Sequence, residues 1–211
     1  MVAVAVACAG IIIGSITHTG LGLVFLSSVL YFSQGNLLIV LFIVMITCII
    51  LGMGLPCSAA YIMSVTLAAP VLLGLNVDIM AAHLFCFYFA IIAALTPPVA
   101  ICAYAAASIA DSDPTKTGIE AFKLAIAAMI IPYAFVYSNA LIARGSLWEI
   151  VYSIFFALLG LSVITKGISG YFTTQTINNP KKLKLKYLQL LLRIILILFG
   201  ISIIFIPSYL I

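Results

Sequence analysis

Apolar residues fill almost the whole chain and are interrupted only by short polar, glycine- or proline-containing stretches. The apolar runs are residues 2–32, 36–51, 59–73, 79–94, 99–110, 115–143, 147–171 and 187–206. An α-helix needs about 20 mostly apolar residues to cross a bilayer. The pattern therefore predicts an all-α integral membrane protein with about six membrane-crossing elements, some of them broken.

Three interruptions predict helices that break inside apolar sequence. Residues 14–20 combine glycines with hydroxyl side chains that compete for backbone hydrogen bonds. Residues 52–56, Gly-Met-Gly-Leu-Pro, predict the sharp tip of a helical hairpin with arms at 36–51 and 59–73. Residues 96–98, Thr-Pro-Pro, remove two successive N–H donors, so a second broken helix is expected there.

The composition indicates that lipid, and not water, surrounds most of the protein. Hydrophobic residues make up 66% of the 211 residues and charged residues 7%, whereas soluble domains carry about 25% charged residues. A soluble fold is excluded, so the partner of most of the surface is the lipid bilayer, and no nucleic-acid partner is expected. The five cysteines lack metal-ligand spacing and no phosphate loop occurs. We expect no transition metal, no ATP hydrolysis and no enzymatic activity.

Positive charge predicts the orientation in the membrane. Four lysines, at positions 181, 182, 184 and 186, fall in the one strongly polar stretch. Under the positive-inside rule the loop 172–186 is cytoplasmic, and counting back two crossings puts Lys116 and Lys123 on the same side. The lysines also have the composition of a patch for anionic lipid headgroups.

Breaks at bilayer depth indicate a transport site. An unsatisfied backbone group costs several kcal/mol in hydrocarbon, so irregular backbone survives only when it is buried in protein or lines a wet cavity. Free carbonyls at a helix end can ligate a small cation, while free N–H groups attract a carboxylate. The alternatives left open are an extramembrane turn at the glycine tip and a structural kink at the double proline.

The first interruption supplies the candidate contacts to an anionic solute. His18 lies among Ser15, Thr17 and Thr19, and an ionisable group at membrane depth is a functional candidate. A packing histidine is the alternative. His83, near the outer end of its helix, is expected to be structural.

Several segments resemble one transporter family. The segments are residues 52–56, 81–85, 87–90 and 95–100, with 103–110, Asp113-Pro114 and Gly118 in addition. They resemble the large permease of the tripartite ATP-independent periplasmic (TRAP) transporters, in particular the TAXI-type fused branch, over about residues 7–141. The chain departs from that pattern at Cys57, where a threonine is usual.

The resemblance implies an elevator-type secondary transporter, a symporter of the bacterial inner membrane. It implies that Na⁺ is the coupling ion and that an extracytoplasmic solute-binding protein delivers an organic acid. By matching motifs, the cation-site candidates are Gly52, Gly54, Ser58, Thr96, Pro97 and Pro98.

The resemblance also implies a domain organisation. Residues 1–143 correspond to the second-repeat portion of the transport domain, and residues 144–211 to two additional transmembrane helices. Because the apolar pattern begins at once, we expect the chain to be the C-terminal portion of a longer permease, with its N-terminal part as a partner.

Two other classes of protein are weighed against the transporter. A respiratory-type or enzymatic membrane subunit is expected to show several intramembrane acids or a ligand cluster, which the sequence lacks apart from its two histidines. A non-catalytic assembly subunit is expected to tolerate replacement of Ser58 and Thr96.

Overall fold

The chain is an all-α integral membrane protein. The computed structural model describes residues 2–169 and 183–210, and in these ranges every regular element is helical. The α-helices are α1 Val2–Thr19, α2 Leu21–Ser33, α3 Leu37–Gly52, α4 Cys57–Leu73, α5 Ile79–Ile92, α6 Ile101–Ile109, α7 Pro114–Ala128, α8 Ile131–Tyr137, α9 Leu147–Ser169 and α10 Leu183–Leu210. Most of the lysine-rich loop predicted at 172–186 lies outside the described residues.

Among the described residues, two stretches are long and apolar enough to cross a membrane unaided. They are Pro114–Tyr137 and Leu147–Ile168, and the bent pair α1 and α2 makes a third if it is counted as one span. The helices α3 and α4, with 16 and 17 residues, are about 24 and 26 Å long at 1.5 Å per residue. These arms are shorter than the roughly 30 Å hydrocarbon core.

Contacts divide the chain into two compact units, Met1–Phe122 and Lys123–Ile211. In the first unit, α3 and α4 form the predicted helical hairpin and α5 packs against both arms. The N-caps are Asn36, which accepts from Leu38 N at 3.0 Å, and Asp78, which accepts from Met80 N at 2.8 Å. These caps start α3 and α5 close to the first residues of the apolar runs 36–51 and 79–94.

The contact between α3 and α5 is lined by small side chains. Cys48 of α3 and Cys86 of α5 are both fully buried, and their side chains are neighbours. One helical turn further on, Gly52 lies against Ala90. Since four residues separate the members of each pair along either helix, α3 and α5 run parallel and end at the same level.

The first interruption is narrower than the sequence predicted. α1 continues through Gly14 to Thr19, and the chain turns only at Gly20, which has φ 68°. The axes of the two helices differ by 66°. The predicted broken helix is therefore confirmed, but the break is confined to Gly20, because the Ser15 and Thr19 hydroxyls bond back to the Ile11 and Ser15 carbonyls and leave α1 intact up to Thr19.

The second unit contains α8, α9 and α10. Its core consists of small and β-branched side chains at Ala127, Ala134, Ile164 and Ile204. α9 and α10 pack backbone to backbone at two glycines: a Cβ built on Gly160 would lie 2.7 Å from the carbonyl oxygen of Gly200. Small residues at such a crossing let two apolar helices approach closely in a membrane.

The single helix predicted at 115–143 is divided. α7 ends at Ala128, α8 ends at Tyr137, and a 3-10 turn follows at Asn139–Ile142. Pro132 lies in the first turn of α8 and has no N–H to continue the hydrogen bonds of α7. Ser138, with φ −133°, is extended and separates α8 from the 3-10 turn.

Candidate functional site

The hairpin tip is a tight turn between α3 and α4. Gly54 has φ 80°, a conformation that L side chains rarely adopt, and Leu55 N donates to Gly52 O at 3.3 Å. Pro56 then precedes the first helical residue, Cys57, and carries an extended ψ of 146°. The two glycines and the proline thus produce the turn that their spacing predicted.

The second break follows α5 directly. After a 3-10 turn at Ala93–Leu95, Thr96 takes an extended conformation, and the Pro97–Pro98 peptide bond is cis. The Thr96 hydroxyl donates to Ile92 O at 3.0 Å, so this buried side chain closes the end of α5. Helical structure resumes in α6 only after Ala100, which has φ 27°.

The tip and the break lie side by side. A Cβ built on Gly52 would come 2.7 Å from Ala93 Cβ and 3.0 Å from Ala90 O. A Cβ built on Gly54 would lie 3.9 Å from Val99 Cγ1. Two interruptions that are more than 40 residues apart in the sequence therefore form one irregular region in the first unit.

Two helix ends meet in this region, and two other helices begin close by. The approach of Gly52 to Ala93 brings together the carboxyl ends of α3 and α5, where Gly52 O accepts from Leu55 N and Ala93 O accepts from Thr96 N. Gly54 and Val99, which face each other, lie three and two residues before the first residues of α4 and α6. Carbonyl ends carry partial negative charge and amino ends partial positive charge, so the region offers ligands to a cation and donors to an anion.

The six cation-site candidates lie on both sides of this contact. Gly52 and Thr96 are buried, Pro97 is half-buried, and Gly54, Ser58 and Pro98 are exposed. The structure thus brings these candidates into one neighbourhood, and their binding of Na⁺ remains a prediction.

The four solute candidates lie elsewhere. Gly22, just past the first break, faces Leu67: a Cβ built on it would lie 3.9 Å from Leu67 Cδ2. Leu67 is ten residues beyond Cys57 along α4, about 15 Å by helical rise. The first interruption therefore lies at a different level along α4 from the glycine tip.

Two of the side chains in that first interruption form hydrogen bonds within α1. The Ser15 hydroxyl donates to Ile11 O at 3.0 Å, and the Thr19 hydroxyl donates to Ser15 O at 2.7 Å. His18 is exposed, and the side chain of Thr17 lies outside the described part of the chain. Contact of these residues with a solute remains a prediction.

Sequence reasoning missed one residue of the break. Tyr104, in α6, donates its hydroxyl to Pro98 O at 2.9 Å. Long side chains in a helix point toward its amino end, so a tyrosine just inside α6 was a signal that a side chain returns to the break.

His83 has the structural partner expected of it. Its Nδ1 lies 2.9 Å from the hydroxyl of Tyr61, which joins α5 to α4. The Tyr61 ring also meets Phe87 edge to face, with ring centroids 5.3 Å apart.

Comparison with known proteins identifies a family. No curated protein and no solved structure matches the chain. The model of the family described as "Tripartite ATP-independent periplasmic transporter, DctM component" matches residues 1–150. This range holds the glycine tip, the double-proline break and all the helices that form the first unit. The chain belongs to the DctM family of TRAP transporter membrane permeases.

Proposed function

We propose that this chain is the membrane permease component of a sodium-coupled TRAP transporter that imports an organic acid delivered by an extracytoplasmic solute-binding protein. The observation that carries the proposal is the contact between the glycine tip and the double-proline break, at Gly54 and Val99. A protein of the TRAP family in which two helices end and two others begin close by has the parts that coupled binding of a cation and an anion requires.

The length of the hairpin supports a site inside the membrane. Arms of about 24 and 26 Å are shorter than a hydrocarbon core of about 30 Å, which favours a hairpin that starts at one surface and ends within the core. Irregular backbone there needs polar partners, and a bound Na⁺ supplies one for the carbonyl groups. Neutralising those carbonyls would also favour the approach of a carboxylate to the amino ends of α4 and α6.

The sequence motifs support a more specific proposal for the branch of the family and its mechanism. We propose that the chain belongs to the TAXI-type fused branch, that it works in the bacterial inner membrane by elevator motion, and that the first repeat completes the permease. Residues 103–110 and Asp113-Pro114 are the segments that support this branch. An in-frame coding sequence for the first repeat upstream of Met1 is the genetic observation that tests the last point.

Transport in proteoliposomes tests the function. The full-length permease, reconstituted with its binding protein, is expected to take up one of a panel of radiolabelled organic acids under an inward Na⁺ gradient. Replacement of Na⁺ by K⁺ is expected to abolish that uptake. Uptake that persists in K⁺ would contradict sodium coupling.

Two threonines of similar geometry provide a matched pair for the site. Thr96→Val removes a hydroxyl at the break, and Thr66→Val removes one in the middle of α4; each hydroxyl bonds the carbonyl four residues back. Loss of a cation ligand is expected to raise the Na⁺ concentration for half-maximal uptake about tenfold in Thr96→Val, as for a loss of about 1.4 kcal/mol. Thr66→Val is expected to match the wild type. Equal behaviour of both variants, together with a silent Ser58→Ala, would favour an assembly subunit without a site.

A further inference from the structure

Tyr104 connects the broken segment to the helix that follows it. Its hydroxyl donates to the carbonyl oxygen of Pro98 at 2.9 Å, across six residues of chain. Neither Pro97 nor Pro98 has an N–H, so these two residues donate no backbone hydrogen bond that would hold the segment. The Tyr104 side chain of α6 supplies a further hydrogen bond to it.

The ring of Tyr104 is held from its other side by α7. A Cβ built on Gly118 would lie 3.0 Å from Tyr104 Cε1 and 3.6 Å from Ala100 Cβ. Gly118 is buried, so α7 approaches the ring closely only because the glycine has no side chain. The close approach of α7 limits the space for the ring on that side, while its hydroxyl reaches Pro98 on the other end of the ring.

The opposite side of the break is tied to α5. Thr96 N donates to Ala93 O at 3.2 Å, and the Thr96 hydroxyl donates to Ile92 O. The Thr96 carbonyl in turn accepts from Ala100 N at 3.1 Å. Pro97 thus lies between two fixed points, one anchored to α5 through Thr96 and one to α6 through Tyr104.

We propose that Tyr104 is a positioning residue for cation binding: its hydroxyl, directed by Gly118, holds Pro98 so that the break between α5 and α6 keeps the shape that binds Na⁺. This inference rests on the proposed sodium coupling. It makes Pro98 an anchor of the segment and leaves the ligand role to its neighbours. A fixed segment has less conformational freedom to lose when the ion binds, so binding is tighter.

Sodium-dependent thermal stabilisation tests the role without knowledge of the solute. The full-length permease in detergent is titrated with NaCl at constant ionic strength with KCl, and the Na⁺ concentration for half of the increase in Tm is measured. In Tyr104→Phe, which keeps the ring and removes the hydroxyl, this concentration is expected to rise about fivefold, the factor for one hydrogen bond. Tyr31→Phe, at an 81% exposed position in α2, is the matched control and is expected to leave it unchanged.

A second variant changes a residue of α7 that contacts Tyr104 and leaves Tyr104 itself unchanged. Gly118→Ala adds a methyl group 3.0 Å from the ring and is expected to shift the Na⁺ titration in the same direction as Tyr104→Phe. A lower Tm in KCl with an unchanged Na⁺ titration in both variants would overturn the inference, since that result describes a purely structural contact.

The same experiment separates this inference from the proposed function. A wild-type protein with no Na⁺-specific increase in Tm overturns sodium coupling and, with it, the role of Tyr104. A wild-type protein that responds to Na⁺, beside a Tyr104→Phe variant that responds identically, overturns the role of Tyr104 alone.

Discussion

Gly52, the last residue of α3, lies against Ala93 at the end of α5, where a Cβ on the glycine would approach the alanine Cβ to 2.7 Å. This contact puts the end of one hairpin arm beside the start of the double-proline break. Both neighbours of Gly52, Ala90 and Ala93, are themselves small, and Ala93 is fully buried. The irregular region thus depends on close approach of two helix ends.

The first prediction concerns that close approach. Gly52→Ala is expected to lower the free energy of unfolding by about 1–3 kcal/mol, because the new methyl group meets Ala93 Cβ and the Ala90 carbonyl oxygen. Thermal unfolding in detergent is the measurement. Gly10→Ala is the control, since a Cβ there meets nothing within 4 Å. Equal Tm values for the two variants would contradict the packing.

The second prediction concerns the crossing of α9 and α10. A Cβ on Gly200 would lie 2.9 Å from Gly160 O, so Gly200→Ala is expected to cost about 1–3 kcal/mol of unfolding free energy. Leu198→Ala removes three carbon atoms from the same helix at a 59% exposed position and is expected to have a smaller effect. Thermal unfolding compares the two, and the reverse order of effects would be evidence against the crossing.

The third prediction concerns water at the hairpin tip. Cys57 at the tip is exposed, whereas Cys48 and Cys86 are buried. Maleimides react with the thiolate, which forms only where water reaches the sulfur. In single-cysteine variants in intact vesicles, a water-soluble maleimide is expected to label Cys57 from one side of the membrane. Cys48 and Cys86 are expected to stay unlabelled until the protein is denatured in SDS.

The opposite labelling results would contradict a water-accessible hairpin tip. Labelling of Cys57 only after denaturation would mean that no wet cavity reaches it, and the argument from irregular backbone at bilayer depth would fail. Labelling of Cys48 or Cys86 in the folded protein would contradict the packing of α3 on α5.

The fourth prediction concerns the start of α5. The Asp78 carboxylate accepts from Met80 N at 2.8 Å and from Ala81 N at 3.4 Å. Asp78→Ala is expected to lower the unfolding free energy by about 1 kcal/mol, because two N–H groups lose their acceptor. Asp78→Asn keeps an acceptor oxygen and is expected to lose much less. Chemical denaturation of the two variants measures the difference, and equal losses would exclude the cap.

The local features of the fold were predictable from single stretches of sequence. The hairpin arms, the turn at 52–56 and the break at 96–98 appear where they were expected, and α7 begins behind a cap at Asp113, which accepts from Lys116 N at 3.0 Å. Each depends on residues adjacent in the chain: glycine permits positive φ, proline removes a donor and a short acidic side chain caps a helix.

The predicted helix boundaries differed from the structure in two places. Ser15 and Thr19 donate their hydroxyls to carbonyls of their own helix, so α1 continues to Thr19 and the predicted break narrows to Gly20. Pro132 has the opposite effect and divides a run that looked continuous. Hydrophobicity gives no warning of either, because the apolar content is similar on both sides of each position.

The sequence by itself determined that the protein lies in lipid, that it is all-α and where its main helix breaks fall. Apolar content, glycine and proline determine these features because their effects depend only on residues close in the chain. Only the tertiary structure decided that Gly54 meets Val99, that Gly22 instead meets Leu67, and that Tyr104 returns to Pro98. These pairings depend on how helices far apart in the chain pack against one another. Apolar helices in a membrane pack through shape and small residues, which leave no periodic signal in the chain.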